Sequence, residues 1–387
     1  MIAHDKSLLT NLALIEEANS LQAGGFISKE QNTIIRKNSS GFKRHDNILV
    51  RLGFFLLGAF LYVSLCGAFS LIGIDGGQTF WKICFYIFTI IGFVGSNILA
   101  NQKYYGHGLD DAFNLGTLLS LGIAIGITTE GYEIVIAFFI AIAAFLMYLR
   151  YIHLPSALIF CLAASAVLFY GMFEFGAIGK TILPFVAMLF SAGFYFFTKK
   201  TMNNLSENYY YKGILLANSF CLVLFCLSCN YLVVRELSVM LLGNEILPGK
   251  DIPFAIFFYA FTVIVPIAYL VQALKTKDRI MLWISFLAIA FSIYTIRFYY
   301  SVLPIEVALT LGGLVLFAIA YFSIKKLKDR EIGLTFKPDR INNSNAFLNA
   351  EMLIVASQFG LKPEAVNESP MEYGGGGFSG GGSGGSY

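Results

Sequence analysis

The chain has 387 residues, of which 57% are hydrophobic and only 13% are charged. A soluble domain usually carries about 25% charged residues, so this chain lacks the polar groups needed to cover a water-facing surface. Its formal net charge of +3 is too small for a nucleic-acid-binding surface, and we expect no nucleic-acid partner. The composition predicts an integral membrane protein whose main partner is the lipid bilayer.

Residues 1–47 precede the first long apolar segment and predict a small helical hairpin. Apolar residues at helical spacing predict a helix from Ser7 to Ala23, and a Gly-Gly pair follows it. Ser28 and Gln31 have the spacing of a capping box, which predicts a second short helix running to about Lys37. The hairpin is either a packing or docking appendage or a sensor of a specific ligand or partner. A membrane-protein partner could bind through residues 1–47 or 374–387.

Ten apolar segments follow, and each meets or approaches the roughly 20 residues that a helix needs to cross a bilayer. Their unbroken apolar runs favour helices over the alternating strands of a β-barrel. The segments cover 49–73, 80–100, 111–129, 132–150, 155–176, 181–198, 212–233, 252–274, 279–300 and 304–324. The third and fourth are the shortest, and it is open whether they cross fully. The predicted fold is an all-α bundle of about ten transmembrane helices within residues 48–324.

The basic residues lie mostly on one side of these segments. When the connections are assigned to alternate sides, 22 of the 27 Lys and Arg residues fall on the side of the two chain ends. Lys and Arg are enriched in cytoplasmic connections. The distribution therefore predicts that both the N-terminus and the C-terminus are cytoplasmic.

Residues 325–373 follow the last segment, begin with the basic sequence KKLK and include one predicted amphipathic helix. Residues 374–387 read GGGGFSGGGSGGSY. So glycine-rich a segment cannot bury enough surface to fold, which predicts a flexible tail. The alternative is a tail that a partner protein grips through Phe378 and Tyr387.

Ionisable residues are scarce within the apolar segments, and the candidate functional ones lie near segment ends. These six are Asp110, Asp111, Glu130, Glu174, Arg297 and Glu306. An ion pair of Arg297 with either Glu306 or Glu174 would neutralise charge at the outer boundary. The structural alternative is that acidic residues at helix starts, such as Asp110 and Asp111, only favour the helix dipole.

Signatures of catalysis and of metal binding are missing from the sequence. We find no H-E-x-x-H, no G-x-S-x-G and no phosphate-binding glycine loop. The four histidines, His4, His45, His107 and His153, are far apart and have no ligand spacing. We therefore expect no catalytic site, no cofactor and no metal site.

Two stretches resemble known bacterial families. The sequence AGGFISKEQNTIIRK (Ala23 to Lys37) resembles the start of the DUF2157 membrane proteins. The sequence IRFYYSVLPIEVALTLGGLVL (Ile296 to Leu316) is similar to the C-terminal part of the related DUF4401 proteins. The functions of these families are unknown. The resemblance implies a multi-pass protein of the bacterial cytoplasmic (inner) membrane and transfers no active site.

Three functions remain open. A transporter-like protein for a small solute or lipid would contain a cavity that reaches mid-membrane, lined by polar groups from both halves of the bundle. A membrane scaffold or accessory subunit would bind partners through residues 1–47 or 374–387. An intramembrane enzyme is a third possibility, but the sequence offers it no nucleophile–base pair.

Overall fold

The computed structural model describes most of the chain up to Tyr299. The described residues are 2–23, 27–39, 41–45, 47–71, 77–205, 208–242 and 251–299, with seven single positions at 307, 310, 314, 317, 321, 322 and 325. Glu306, the flexible tail with Phe378 and Tyr387, and the predicted amphipathic helix lie outside the described residues. Within them the chain is helical apart from short connections, which confirms the all-α prediction.

The described helices follow one another with short connections. They are α1 (Lys6–Ala23), α2 (Lys29–Asn38), α3 (Ile48–Ser70), α4 (Gln78–Asn101), α5 (Leu109–Thr128), α6 (Glu133–Tyr151), α7 (Leu154–Phe173), α8 (Gly176–Asn203), α9 (Tyr211–Cys229), α10 (Tyr231–Leu242), α11 (Ala255–Thr276) and α12 (Arg279–Tyr299). In this part of the chain, nine helices are long and apolar enough to cross a membrane, namely all except α1, α2 and α10. They confirm nine of the predicted segments, including the short third and fourth. The tenth segment, 304–324, lies outside the description except at single helical positions.

The first two helices form the predicted hairpin, and its local chemistry is as expected. Ser28 Oγ accepts a hydrogen bond from the Gln31 amide at 3.2 Å, and the Gln31 side chain accepts one from the Ser28 amide at 2.8 Å. This reciprocal capping box satisfies two amides that would otherwise lack partners at the start of α2. Asn32 of α2 then donates to Asn19 and Gln22 of α1, which joins the two helices.

The membrane helices pack mainly as consecutive antiparallel pairs, α4 with α5, α6 with α7, α8 with α9 and α11 with α12. Helix α3 packs against α5, and α9 joins the two parts of the bundle by contacting α7, α11 and α12. We call the face of the bundle at which α3, α5, α7, α9 and α12 begin the arm face, because residues 2–45 (the N-terminal arm) pack there. The other face is the opposite face.

A proline in α11 determines one contact between α11 and α12. Pro266 has no N–H, so the carbonyl of Thr262, four residues earlier, has no partner within its own helix. The buried Ser292 hydroxyl of α12 lies 2.6 Å from that carbonyl and 2.8 Å from the Ala288 carbonyl of its own helix, so the contact with Thr262 is the shorter one. A side chain from the neighbouring helix thus replaces the missing backbone donor, as a chain in lipid requires.

This replacement can be tested by a double-mutant cycle. Ser292→Ala leaves the Thr262 carbonyl without a donor and should cost about 1–2 kcal/mol of unfolding free energy. In a Pro266→Ala background the restored amide bonds the same carbonyl, so Ser292→Ala should then cost close to nothing. The measurement is unfolding by SDS in mixed micelles. Equal costs in both backgrounds would show that the two residues are not coupled.

Candidate functional site

The N-terminal arm is a layer of the arm face, held by backbone hydrogen bonds. The Ala3 amide donates at 2.9 Å to the carbonyl of Arg150, in the last turn of α6. The Lys43 amide donates to the Lys103 carbonyl at 2.9 Å, and Lys43 accepts from the Tyr105 amide at 3.4 Å. The described residues of the arm therefore bind the α4–α5 connection and the C-terminal end of α6. Of the two sequence hypotheses for the hairpin, packing is directly visible.

An ionic contact ties the arm to the second half of the bundle. Glu16 of α1 contacts Arg44 at 3.0 Å and Lys212, at the start of α9, at 2.5 Å. Burial alone would raise the pKa of the Glu16 carboxyl, but the charges of Lys212 and Arg44 outweigh burial and hold that pKa below its ordinary range. Glu16 is thus ionised and shared by two cations.

An aromatic box encloses His4 of the arm. The His4 ring lies edge-on to Phe42 at 5.4 Å, to Tyr105 at 5.2 Å and to Tyr151 at 6.5 Å between ring centres. His4 is buried, and its Nδ1 has no hydrogen-bond partner among the described residues. Burial lowers the pKa of His4, and the nearby Asp110 carboxylate offsets only part of that effect. The docked arm therefore holds His4 in its neutral form.

Acidification should release the arm. Free His4 titrates near its ordinary pKa of 6.5, whereas docked His4 resists protonation, so docking weakens as the pH falls below about 6.5. Glu16 contributes at lower pH, since its docking energy is present above its ordinary pKa of 4.5 and is lost as the pH falls through the lowered value. The measurement is hydrogen exchange of the α1 amides. Their protection, relative to the intrinsic exchange rate at each pH, should be lower at about pH 5.5 than at about pH 7.5.

His4→Phe is the matched variant for this experiment, because phenylalanine fits an aromatic box and does not titrate. It should keep the arm docked at neutral pH and lose most of the release between about pH 7 and pH 5. His107 is also buried, and burial together with repulsion from His45 lowers its pKa, so a small residual response is expected. An unchanged response in His4→Phe would mean that His4 does not control docking.

Asp110, a sequence candidate, organises the connection before α5. Its carboxylate accepts hydrogen bonds from the amides of Gly106 at 2.7 Å, His107 at 3.0 Å and Gly108 at 3.0 Å. These three hydrogen bonds from backbone amides fix the connection. Asp110 is buried and fully used in this contact, so its role in this conformation is structural.

Asp111, the neighbouring candidate, is the centre of a buried polar cluster. Arg51 of α3 contacts Asp111 Oδ2 through Nε at 2.7 Å and through Nη2 at 2.6 Å. His153, which precedes α7, places Nε2 at 3.1 Å from Asp111 Oδ1, and its Nδ1 lies 2.8 Å from Ser156 Oγ. We call Arg51, Asp111, His153 and Ser156 the Asp111 cluster. It joins three helices that are distant in sequence.

Asp111, His153 and Ser156 follow one another as carboxylate, imidazole and hydroxyl, the same order of groups as in many hydrolytic enzymes. The structure thus brings His153 and Ser156 into hydrogen-bond distance, and the expectation that the protein has no catalytic site stays a prediction. With Ser156 donating to Nδ1, the proton of His153 sits on Nε2 and faces Asp111, but the approach is too bent for a hydrogen bond. Ser156 is 0% exposed, so no substrate reaches its hydroxyl in this conformation. The contacts fit a positioning role for Ser156 and His153.

The four histidines all lie at the arm face, although they are dispersed in the sequence. His45 Nε2 lies 3.1 Å from His107 Nε2, and the His45 ring stacks on Phe54 at 4.8 Å. His4 and His153 are buried beside the same connections. Even so, no three His, Cys, Asp or Glu side chains in the described part of the chain are grouped so that they could hold a metal ion.

A lateral groove begins next to the Asp111 cluster. It has a volume of about 640 Å³ and is lined by apolar side chains, among them Phe55, Ala59 and Val63 of α3, Ala112, Leu119 and Ile123 of α5, Ile140 of α6 and Ile159 of α7. The side chains of Val63 and Leu119, 64% and 68% exposed, lie at its mouth, on the surface that lipid would cover. We call this cavity the lateral groove.

The only hydroxyl among the groove-lining side chains is already engaged. Tyr62 of α3 places its hydroxyl 2.6 Å from Ser120 Oγ and 2.9 Å from the Phe88 carbonyl. The polar end of the groove is therefore its arm-face end. There Phe55 lies one helical turn from Arg51, and Ala112 directly follows Asp111. This arrangement differs from the polar cavity between two halves that a transporter of polar solutes would need.

The other sequence candidates are not brought together with this site. Glu130 is exposed in the turn before α6, and Glu174 accepts a hydrogen bond from Tyr132 at 3.0 Å. Arg297 is half-buried near the end of α12 and forms no ion pair with Glu174, so that proposed pair is wrong. The Arg297–Glu306 pair falls on a residue outside the description.

The sequence reading missed a polar cluster at the opposite face. Tyr231 donates to Asp251 at 2.6 Å and accepts from Arg235 at 2.8 Å, while Tyr299 donates to Glu236 at 2.6 Å. The Arg235 guanidinium lies 4.6 Å from the Tyr299 ring centre. The sequence feature that could have indicated this cluster is the adjacent pair Arg235 and Glu236 within the otherwise apolar α10. All these groups are satisfied by one another.

The described chain is thus an all-helical, multi-pass membrane protein. No protein-family model, no curated protein and no solved structure matches its sequence. The resemblance to the DUF2157 and DUF4401 families therefore stays a prediction. Function has to be argued from the Asp111 cluster and the lateral groove.

Proposed function

We propose that the protein is transporter-like and that its solute is a lipid or another amphipathic molecule drawn from the bilayer. The lateral groove carries this proposal, because it is apolar, opens on the lipid-facing surface and ends at a charged cluster. Its volume of about 640 Å³ falls within the roughly 300–1,000 Å³ typical of ligand pockets. An apolar lining would solvate an acyl chain and would not solvate an ion or a sugar.

We further propose that the protein resides in a bacterial cytoplasmic membrane with the arm face in the cytoplasm. The support is the uneven distribution of Lys and Arg, since 22 of 27 fall on the side of the chain ends. In this orientation the groove opens from the inner leaflet. The buried Asp111 cluster then lies at the level of the lipid headgroups.

A photoreactive lipid tests the groove directly. A phospholipid with a diazirine in its acyl chain, incorporated into nanodiscs with the full chain, should label α3 and α5 at the groove more strongly than other lipid-facing helices. Ala59→Trp fills the groove and should remove most of that labelling. Phe60→Trp is the control, because Phe60 is 73% exposed at the same depth but does not line the groove. Uniform labelling that Ala59→Trp leaves unchanged would exclude the groove as a binding site.

Transport itself needs a second measurement. In proteoliposomes, the protein should speed the movement of a fluorescent lipid between leaflets, and Ala59→Trp should slow it whereas Phe60→Trp should not. Binding without movement would favour a lipid-holding role.

A scaffold function is the second candidate, and one observation favours it. Leu14 and Ile34, on the two helices of the hairpin, are 52% and 58% exposed although they lie outside the membrane helices. Exposed apolar side chains mark a protein–protein contact where they form one contiguous patch. Loss of a co-purifying membrane protein from Leu14→Ser/Ile34→Ser, with the arm still docked, would support it.

A further inference from the structure

We infer that α3 is a hinged wall of the lateral groove. Its middle is fixed to the bundle at Tyr62, and contacts of Arg51 and Phe54 hold its arm-face end, residues 48–57, closed. This inference rests on the proposed function and describes how the groove would admit a lipid headgroup. The groove is lined by α3 and α5, and the Arg51–Asp111 contact joins these two helices beside its polar end. Movement of the arm-face end of α3 would therefore open the groove where a headgroup has to pass.

The two parts of α3 pack differently against the bundle. In its described turns from 48 to 57 no residue is buried, and three side chains are half-buried, namely Arg51, Phe54 and Phe55. The buried residues of the helix all come later and are Gly58, Tyr62 and Cys66. The first turns therefore depend on a few side-chain contacts. An element with so little buried surface opens at a lower free-energy cost than the core of the bundle.

Tyr62 is the fixed point of the helix. Its hydroxyl donates to the Phe88 carbonyl of α4 at 2.9 Å and lies 2.6 Å from Ser120 Oγ of α5. A Cβ atom placed on Gly116 would lie 2.7 Å from the Tyr62 ring, so the ring also packs directly on the backbone of α5. Inside the membrane no water replaces hydrogen bonds that are lost, so this attachment is costly to break.

The first contact that closes the arm-face end is the ion pair of Arg51 with Asp111. It is short, at 2.6 Å, but the Arg51 side chain is 39% exposed, so water reaches it from the arm face. Movement of α3 would bring water to Asp111 as well. Hydration of the two separated charges then offsets much of the lost attraction. The contact can therefore break and form again, unlike the buried attachment of Tyr62.

The second contact is made by the N-terminal arm. The Phe54 ring lies 4.8 Å from the His45 ring, which stacks on it, and 4.3 Å from the His107 ring. The two histidines also contact each other, with their Nε2 atoms 3.1 Å apart. His45 belongs to the arm and His107 to the α4–α5 connection. The docked arm thus holds the end of α3 against α5, and this contact is autoinhibitory because it keeps the groove closed.

The test measures how often the arm-face end of α3 opens. Ala112 is 4% exposed and lies under α3, since a Cβ atom on Gly58 would lie 2.9 Å from the Ala112 Cβ. The Ala112→Cys protein, with its full chain in nanodiscs at one neutral pH, is treated with a water-soluble maleimide, and labelled peptides are mapped by mass spectrometry. Where opening is fast relative to labelling, the labelling rate is proportional to the open population.

Phe54→Leu should raise the labelling rate of Ala112→Cys about five-fold, the effect expected from loss of one aromatic contact. Phe60→Leu is the matched control, because it makes the same change in the same helix at a side chain that is 73% exposed. It should leave the rate unchanged. His45→Ala should raise the rate as Phe54→Leu does, because the arm then loses its hold on α3.

Equal labelling of Ala112→Cys in the Phe54→Leu and Phe60→Leu backgrounds would overturn the inference. A parallel rise in Ala144→Cys would do so too, because Ala144 is 0% exposed within a cluster of α4, α5, α6 and α7 side chains, and its labelling reports loosening of the whole bundle. A rate that His45→Ala leaves unchanged would overturn the role of the arm.

This labelling needs no lipid movement, so its outcome is separate from that of the proposed function. If α3 opens as expected but the diazirine lipid does not label the groove, the proposed function fails and the hinge stands. If the lipid labels the groove but α3 does not open, the groove remains a lipid site and the hinge fails. Where both hold, Phe54→Leu should speed lipid movement between leaflets and Phe60→Leu should not.

Discussion

Replacing Gly108 with alanine should cost about 3–5 kcal/mol of unfolding free energy. Gly108 precedes α5 with φ of +109°, a conformation that L side chains rarely adopt. A Cβ at this position would lie 2.2 Å from the Arg51 carbonyl oxygen and 2.8 Å from the Phe55 amide nitrogen. Both are backbone atoms, so rotation of a side chain cannot relieve the overlap.

The overlap would also displace the site, because Gly108 is the point at which the α5 connection contacts the first turns of α3. Separation of these elements moves Arg51 away from Asp111 and the amide of Gly108 away from Asp110. Lost stability should therefore be accompanied by lost groove labelling. SDS unfolding in mixed micelles and the diazirine experiment measure the two effects.

Gly53→Ala is the matched control for this prediction. Gly53 lies in α3, two residues from Arg51, and a Cβ there would meet no atom within 4 Å. Alanine is favoured over glycine in a helix by about 1 kcal/mol, so this variant should be neutral or slightly more stable. Similar losses for Gly53→Ala and Gly108→Ala would show that the close contact at Gly108 does not limit stability.

The helices were predictable because each depends on residues that are close in sequence. Apolar runs of sufficient length give the membrane helices, and the spacing of Ser28 and Gln31 gives the start of α2. Local chemistry of this kind does not require the rest of the fold. The exception is the short apolar helix α10. The predicted segment 212–233 included its first residues, whereas in the structure Asn230 separates it from α9.

The site was only half predictable, because its contacts join distant parts of the chain. Asp110 and Asp111 were candidates since they are acidic residues beside a membrane helix. Their partners could not be identified, as Arg51 and His153 lie 60 and 42 residues away from Asp111 in sequence. The histidines were considered unconnected for the same reason. Packing of α3, α5 and α7 brings these groups together, and this packing cannot be predicted from their spacing in the sequence.

The N-terminal arm shows how one expectation changes when contacts are known. In sequence it is a polar segment ahead of the membrane helices, which suggested an appendage. In the structure it packs on the arm face and contacts α9 through Glu16. Its docking therefore affects the stability of the arm face.

Removing Arg51 should be more damaging than removing the charge of Asp111. The Asp111 side chain is only 10% exposed, whereas that of Arg51 is 39% exposed. Arg51→Gln strands a carboxylate that cannot reach water and should cost about 3 kcal/mol of unfolding free energy. Asp111→Asn leaves a guanidinium that can turn towards water along its flexible stem, and should cost about 1 kcal/mol.

The double variant Arg51→Gln/Asp111→Asn completes the cycle. Two neutral amides can hydrogen-bond to each other, and neither is left as a buried charge, so the double variant should be more stable than Arg51→Gln alone. Unfolding by SDS at neutral pH measures all three. Additive costs would mean that Arg51 and Asp111 stabilise the bundle independently, despite the 2.6 Å contact between them.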